Sequence, residues 1–241
     1  MSSSLQKVSI IIPCFNEENT IEKILEKVLK ETLNFSYLNF EIIVINDAST
    51  DATQKILEKY ANKKFKFLIN ERNFGKGYSL KRGIKEANGD IILFQDADLE
   101  YDPSDYKKLL KPILDGNADV VFGSRFIGSS EKRVLYYWHR IGNLLLTILS
   151  NMFSNLNLTD MEIGYKVFRS NIIKKISLQE NRFGIEPEIT AKIAKTKCRI
   201  YEVGVSYFGR TYNEGKKITW KDGISAIRCI LYYNFFSGRV E

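Results

Sequence analysis

Apolar residues in the first half of the chain come in short, nearly unbroken runs separated by amphipathic stretches. Val8-Ser9-Ile10-Ile11-Ile12-Pro13 is β-branched and ends at a proline, the pattern of a strand buried on both faces of a parallel sheet. Residues 17–31 follow with Ile21, Ile24, Leu25, Val28 and Leu29 on one helical face. Glu41-Ile42-Ile43-Val44-Ile45-Asn46 predicts a second buried strand, and Ser49 or Thr50 a cap for a helix over 51–61. Residues 65–70 predict a third strand. Gly75-Lys76-Gly77 opens a helix that Asn88-Gly89 stops. Ile91-Ile92-Leu93-Phe94 predicts a fourth strand, Pro103 starts another helix, and 118–123 predicts a fifth strand.

Strand–helix alternation with short connections predicts an α/β fold, a mostly parallel central sheet with helices on both faces. In such sheets ligands bind beyond the carboxyl ends of the strands. Asn16/Glu17, Asp47, Asp96/Asp98 and Ser124/Arg125 all fall at predicted strand ends. Four polar clusters on one sheet edge point to a single site, because random placement would scatter them over both edges.

Beyond about residue 130 the pattern changes. Residues 133–158, rich in Leu, Ile, Tyr, Trp and Phe, predict one long amphipathic helix. A short strand over 165–169, a helix over 186–196, a last strand over 199–207 and an aromatic-rich helix over 220–236 complete the reading. No internal repeat or linker interrupts it. The expectation is one domain over 1–241, with a ligand-binding half to about 130 and an acceptor-side half after it.

Composition narrows the class. A hydrophobic fraction of 44% over 241 residues supports a proper core and argues against disorder. Cys14, Cys198 and Cys229 are far apart and show no metal or disulfide spacing. With no signal-peptide region at the first residues and no run of 18 apolar residues, a cytoplasmic setting is expected. The net charge is +7, and residues after 160 carry it all, with 15 Lys and Arg against 8 Asp and Glu. Such a section attracts phosphorylated ligands, an anionic membrane surface or nucleic acid. No nucleic-acid recognition motif accompanies it, so that class is set aside.

The candidate chemistry sits at the strand ends. Asp96-Ala97-Asp98 places two carboxylates together, and such a pair either caps a turn or holds a cation. Hard oxygen ligands suit Mg²⁺ or Mn²⁺, ions that commonly bridge a diphosphate. Glu100 is a further candidate ligand. Asp47 can accept from the N–H face of a base or cap a helix, and Glu17 can reach the same nucleoside or complement a helix dipole. Lys76 lies in a glycine-rich turn that lets backbone approach phosphates, although it is not a Walker loop. Arg125 can clamp a phosphate. Asp160, Glu186 and Glu188 offer more carboxylates. His139 is the only histidine, which argues against a Ser-His-Asp mechanism and a histidine-rich metal centre. Residues 210–217 form a basic loop of the kind that closes over a diphosphate.

Several runs resemble the family 2 glycosyltransferases. Ile12-Pro13-Cys14-Phe15-Asn16-Glu17 is similar to their I-P-x-Y/F-N-E opening, Asn46-Asp47-Ala48-Ser49-Thr50-Asp51 to D-D-G/A-S-x-D, and Asn73-Phe74-Gly75-Lys76-Gly77 to N-x-G-x-G/A. Asp96-Ala97-Asp98 matches their metal motif. Thr159-Asp160 through Gly164-Tyr165-Lys166 to Arg169 resembles the T-D-x-x-x-G-F/Y-R/K run of the polyprenyl-phosphate mannosyl- and glucosyltransferases, and Arg210-Thr211-Tyr212 with Lys216 their late R-x-Y-G-x-S-K loop. The resemblance covers residues 8 to 217. It implies a GT-A (nucleotide-diphospho-sugar transferase) fold, a UDP- or GDP-hexose donor and a divalent cation. By position, Pro13, Phe15, Glu17 and Asp47 would hold the nucleoside, with Lys76 and Ala97 beside the donor. Asp96, Asp98 and Glu100 would hold Mg²⁺ or Mn²⁺. Arg125, Arg210 and Lys216 would face the donor diphosphate or an acceptor phosphate. Asn46, Asn213 and Gly215 depart from the family pattern and leave the base and sugar open.

The implied reaction is an inverting displacement at the anomeric carbon, with a nucleoside diphosphate leaving. A lipid-phosphate acceptor is already anionic and needs no base; a sugar hydroxyl would need one, with Asp160 the candidate. A nucleotide-sugar-binding subunit without turnover is the rival from another class. The two late amphipathic helices either meet a membrane surface or membrane partner, through side chains such as Leu135, Trp138 and Phe236, or pack on the sheet or on a second subunit as a homo-oligomer.

Overall fold

The computed structural model describes residues 6–60, 65–128, 133–134, 136–211, 214–215 and 220–238. Its strands are β1 (Gln6–Cys14), β2 (Leu38–Asn46), β3 (Phe65–Ile69), β4 (Ile91–Phe94), β5 (Val120–Ser124), β6 (Lys166–Arg169) and β7 (Ile200–Gly204). They form one sheet in the order β3-β2-β1-β4-β6-β5-β7. Neighbours are parallel except β6, which runs antiparallel between β4 and β5. The helices around it are α1 (Ile21–Thr32), α2 (Thr53–Glu58), α3 (Lys76–Glu86), α4 (Tyr106–Leu114), α5 (Tyr137–Ser154), α6 (Ser170–Ile173), α7 (Ile185–Ala194) and α8 (Trp220–Phe235).

The apolar runs become the inner strands because helices cover the sheet. Ile10, Ile11, Ile12, Ile43, Val44, Ile45, Ile91, Ile92 and Leu93 are essentially inaccessible. Each such side chain contributes about 1.5–3 kcal/mol by leaving water. Parallel register of β1 with β2 and β4 brings Cys14 level with Asn46, and Ile11 level with Phe94. The chain therefore leaves all three strands on one edge, where the polar clusters follow.

Three local readings change. The helix expected from residue 51 is shorter, and neither Ser49 nor Thr50 caps it. Ser49 donates to Oδ1 of Asn46, while the Thr50 N–H goes to Oδ1 of Asn16. Asp51 instead accepts the Thr53 N–H. These bonds tie the loop after β2 to the loop after β1, and Asn16 and Ala48 turn there through left-handed backbone (φ 50° and 57°). The long helix expected over 133–158 spans Tyr137–Ser154, ending where Asn155 takes φ 55°. The strand expected at 165–169 forms, but antiparallel, an orientation that apolar periodicity does not report.

Candidate active site

The site is assembled where β1, β2, β4 and β5 end. Pro13 is buried at the end of β1 and Phe15 is half-buried beyond it. Asp47 is 3% exposed and both its oxygens are committed. Oδ1 accepts from the Asn70 side chain and the Phe74 N–H, and Oδ2 accepts from the Gly75 N–H. Asp47 thus holds the loop that leads into α3. Gly75 is required in that loop. Its φ is 101°, and a Cβ there would sit 2.5 Å from the carbonyl oxygen of Asn181.

That loop delivers Lys76 to β4. Its ammonium lies 2.7 Å from Oδ1 of Asp96 and 3.0 Å from Oε1 of Glu186, at the start of α7. Burial works against the charge, but Asp96 and then Glu186 outweigh it and hold the lysine proton well above its ordinary range. On the other side of Ala97, Arg210 spans three carboxylates. Its guanidinium meets Oδ2 of Asp98 at 2.7 Å, Oε2 of Glu17 at 3.2 Å and Oε1 of Glu100 at 3.4 Å. Its backbone N–H also donates to Glu100, as does the Tyr207 hydroxyl. Thr20 closes the ring by donating to Glu17 and to the carbonyl of Ala97.

Asp98 shows what this cluster wants. Burial, then the Asp96 and Glu100 carboxylates, push its pKa up to about 7 although Arg210 opposes the shift. Negative charge is in excess at the end of β4. The hard oxygens of Asp96, Asp98 and Glu100 suit Mg²⁺ or Mn²⁺. Among the described residues, however, no three acidic, histidine or cysteine side chains already converge as a ligand sphere. Lys76 and Arg210 hold these carboxylates, so a metal ion there must share Asp98 with Arg210 or take it over.

Arg125 and Asp160 form a separate unit beside β5. Asp160 is fully buried and receives two side-chain bonds from Arg125, each 2.6 Å, plus its N–H at 3.0 Å. Asn143 on α5 adds a fourth donor. The guanidinium lies over Tyr207, which links this pair to Glu100 and hence to the acidic cluster. Glu188 lies apart, buried with Lys192 and bonded to the backbone of Gln179 and Glu180. His139 on α5 packs its ring against Tyr136, just before that helix. Lys216, with Tyr212, Asn213 and Leu135, lies outside the described residues.

For some site residues no role is legible in the sequence. Gly164 makes room for Asp96, since a Cβ there would lie 2.2 Å from its Oδ2. Lys166 is 1% exposed within β6 and donates to the carbonyls of Met161 and Ile163; a lysine inside an apolar strand was the available hint. Glu186 is brought beside Lys76 only by the tertiary fold, and Glu162, two residues before Gly164, lies within reach of the Glu186 charge.

Glycosyl transferase family 2 matches residues 9–177, most of the chain and all of the strand ends described above except β7. The chain belongs to this family. A dolichyl-phosphate β-glucosyltransferase of Trichomonas vaginalis is 29% identical over 216 residues, 83% of this chain and 65% of that protein. A dodecaprenyl-phosphate galacturonate synthase of Rhizobium johnstonii is 25% identical over 213 residues, 87% of this chain and 61% of the relative. The chain thus spans a little under two thirds of these two relatives. The fold resembles glucosyl-3-phosphoglycerate synthase of Mycobacterium tuberculosis, solved with Mn²⁺, UDP and phosphoglyceric acid, with a TM-score of 0.72 at 18% identity, over 97% of this chain and 80% of that one. The expected GT-A glycosyltransferase architecture is therefore the observed one.

Proposed function

We propose that this family 2 glycosyltransferase moves a hexose from a UDP- or GDP-sugar to a polyprenyl phosphate, with inversion at the anomeric carbon and a divalent cation at Asp96, Asp98 and Glu100. The observation that carries the choice of acceptor is the burial of Asp160. A hydroxyl acceptor needs a base with a free lone pair facing it. Asp160 is enclosed and takes four hydrogen bonds, three of them from Arg125, so it acts by holding Arg125 rather than by removing a proton. A phosphate monoester is already ionised and needs no base. Arg125 and Arg210 supply the positive charge that binds it and orients it toward the sugar. The two relatives whose names specify polyprenyl-phosphate chemistry support the same choice.

The loops of Asn16 to Glu18, Asp47 to Ala52 and Asn70 to Gly75 form the rim for the nucleoside. Lys76 and Arg210 face the diphosphate, where charge grows as the bond to the sugar breaks, and fixed positive groups there lower the barrier. A bound Mg²⁺ or Mn²⁺ would add Lewis-acid neutralisation of the leaving diphosphate.

The lipid end of the acceptor is met by α5 and α8. These helices pack together, with Phe153 and Phe235 in edge contact at 4.9 Å, yet Trp138, Leu145, Met152, Trp220, Phe235 and Phe236 are 60% exposed or more. Aromatic and aliphatic side chains beside Arg140, Lys221 and Arg228 suit the interfacial zone of an anionic bilayer. No helix among the described residues is long and apolar enough to cross a membrane, so the contact proposed is peripheral. The test is hexose transfer from UDP-glucose or GDP-mannose to polyprenyl phosphate in anionic vesicles with Mn²⁺. Sugar on the lipid phosphate is the expected product. Donor turnover onto hydroxyl acceptors alone would overturn the acceptor, and no turnover with any donor would overturn the transferase reading.

A further inference from the structure

Lys76 is held in place from two sides. On one, Asp47 bonds the Phe74 and Gly75 N–H groups. On the other, the loop between α6 and α7 lies directly against Gly75 and Gly77, where added Cβ atoms would sit 2.5 Å from the carbonyl oxygens of Asn181 and Glu180. The Asn181 carbonyl also accepts the Tyr78 N–H. Residues 177–181 belong to no helix or strand, so side chains must keep this loop in place. Glu188 accepts the Gln179 and Glu180 N–H groups, each at 2.7 Å, and Lys81 on α3 donates to the Gln179 carbonyl and the Asn181 side chain. A further tie comes from α8. Oε1 of Glu180 accepts from Arg228 at 2.7 Å and from the Tyr233 hydroxyl at 3.0 Å. This helix passes so near that a Cβ on Gly184 would meet Sγ of Cys229 at 2.6 Å.

We propose that Glu180 is a positioning residue for the donor diphosphate: by fastening this loop to α8 it keeps Lys76 in register with Asp96 and Glu186, an inference that rests on the nucleotide-sugar reading above. The loop governs both ends of one ion pair. Its backbone braces the turn that carries Lys76, and its last residue, Gly184, leads into α7, where Glu186 lies 3.0 Å from the ammonium. A shift of the loop therefore moves the lysine and one of its two carboxylate partners together. An ammonium group grips a phosphate through short, directed bonds, and a displacement of about 1 Å is enough to weaken them. Folding depends on Glu180 much less. Arg228 is 57% exposed, and an ion pair open to solvent adds little to stability. Glu180 thus acts through Lys76, and the two should be felt by the ligand as one group.

A double-mutant cycle on the purified chain tests this, read by isothermal titration calorimetry with Mn²⁺ and UDP or GDP, whichever the wild type binds. Lys76→Met should weaken the diphosphate about tenfold, the equivalent of one charged hydrogen bond. Glu180→Ala should weaken it nearly as much, with a near-native melting curve. In the Lys76→Met background, Glu180→Ala should change the affinity by less than about twofold, because the lysine it positions is gone. Arg228→Gln, a substitution of an exposed residue, should reproduce part of the loss from the α8 side, and it carries the cycle if Glu180→Ala does not fold. Equal losses in the two backgrounds overturn the proposal, since the effects would then be independent. So does a Glu180→Ala variant that melts early yet binds the diphosphate as tightly as wild type, which would leave Glu180 a purely structural part. If Lys76→Met binds as tightly as wild type, or if neither diphosphate binds at all, the donor reading fails first and takes this inference with it.

Discussion

In the parallel half of the sheet, nearly all apolar side chains of β1, β2 and β4 are sealed from water, and the polar clusters of the site emerge at the carboxyl ends of the strands. On α5 the arrangement is reversed. Its fully buried residues are Thr147 and Ser150, while Trp138, Leu145 and Met152 are 61 to 77% exposed. Thr147 and Asn143 face inward because they serve the site: Thr147 accepts the Met161 N–H, and Asn143 donates to Asp160. One half of the molecule thus uses apolar residues to be rigid. The other uses polar residues to hold its helices in place and keeps apolar ones free for a surface.

If that division is right, damage to the rigid half should abolish chemistry or folding, and damage to the outward face should do neither. The largest effect belongs to Asp98. Asp98→Ala should lower kcat/KM by on the order of 10³-fold without lowering the melting temperature, because the change also relieves the excess charge at the end of β4. A near-normal rate would dissolve the cluster as a catalytic centre.

Next comes the core. Ile43 is inaccessible on β2, and Ile43→Ala should cost about 2–5 kcal/mol in a denaturant titration, the lost burial plus the cavity. Gly164→Ala should follow, with the opposite signature. Its new methyl group would meet Oδ2 of Asp96 at 2.2 Å, so Asp96 must turn away. Displacing a catalytic group by about 1 Å costs on the order of 10²-fold. Loss of activity with a near-native melting curve is expected; a rate equal to wild type would show that Asp96 is free to move without consequence.

These residues also mark what was legible in advance. Strands, their order of appearance and the carboxylates at their ends could be read because a buried parallel strand is nearly continuous in apolar residues and stops where polar ones begin. Asp96 and Asp98 stood out for that reason. The pairing of residues far apart along the chain did not. Arg210 lies 112 residues from Asp98, and Asp160 pairs with Arg125 across 35; local spacing carries no record of either. The antiparallel entry of β6, which positions Gly164 and Lys166, follows from the connection through α5 and not from the composition of the strand. Periodicity located α5 but not its outward face, since an amphipathic stripe looks the same whether it meets a sheet or a membrane.

The outward face supplies the next test. Trp138→Ala and Leu145→Ser should each change stability by no more than about 0.5 kcal/mol. In vesicle flotation the pair should reduce binding to anionic bilayers, with transfer to a lipid acceptor falling in step while hydrolysis of the donor stays constant. A large loss of stability would place these side chains in a packed interface between copies of the chain.

The smallest effect is expected where the second half of the sheet is stitched by charge. Asp119, just before β5, accepts from Arg199 before β7 and from Arg169 at the end of β6. The Arg199 hydrogen bonds hold its carboxyl down at about 2 in the folded chain, although partial burial opposes them; an unfolded aspartate titrates near about 3.9. A depressed folded pKa stabilises the fold above the unfolded value, and that contribution fades as pH falls between the two. Asp119→Asn should therefore lower the melting temperature slightly at pH 7, the exposed arginines being screened by solvent and salt. The gap to wild type should narrow from about pH 4 to about pH 2 and close below it. A gap that persists in acid would mean that Asp119 supports the strand ends by shape and backbone bonding, leaving charge with no part in joining β5, β6 and β7.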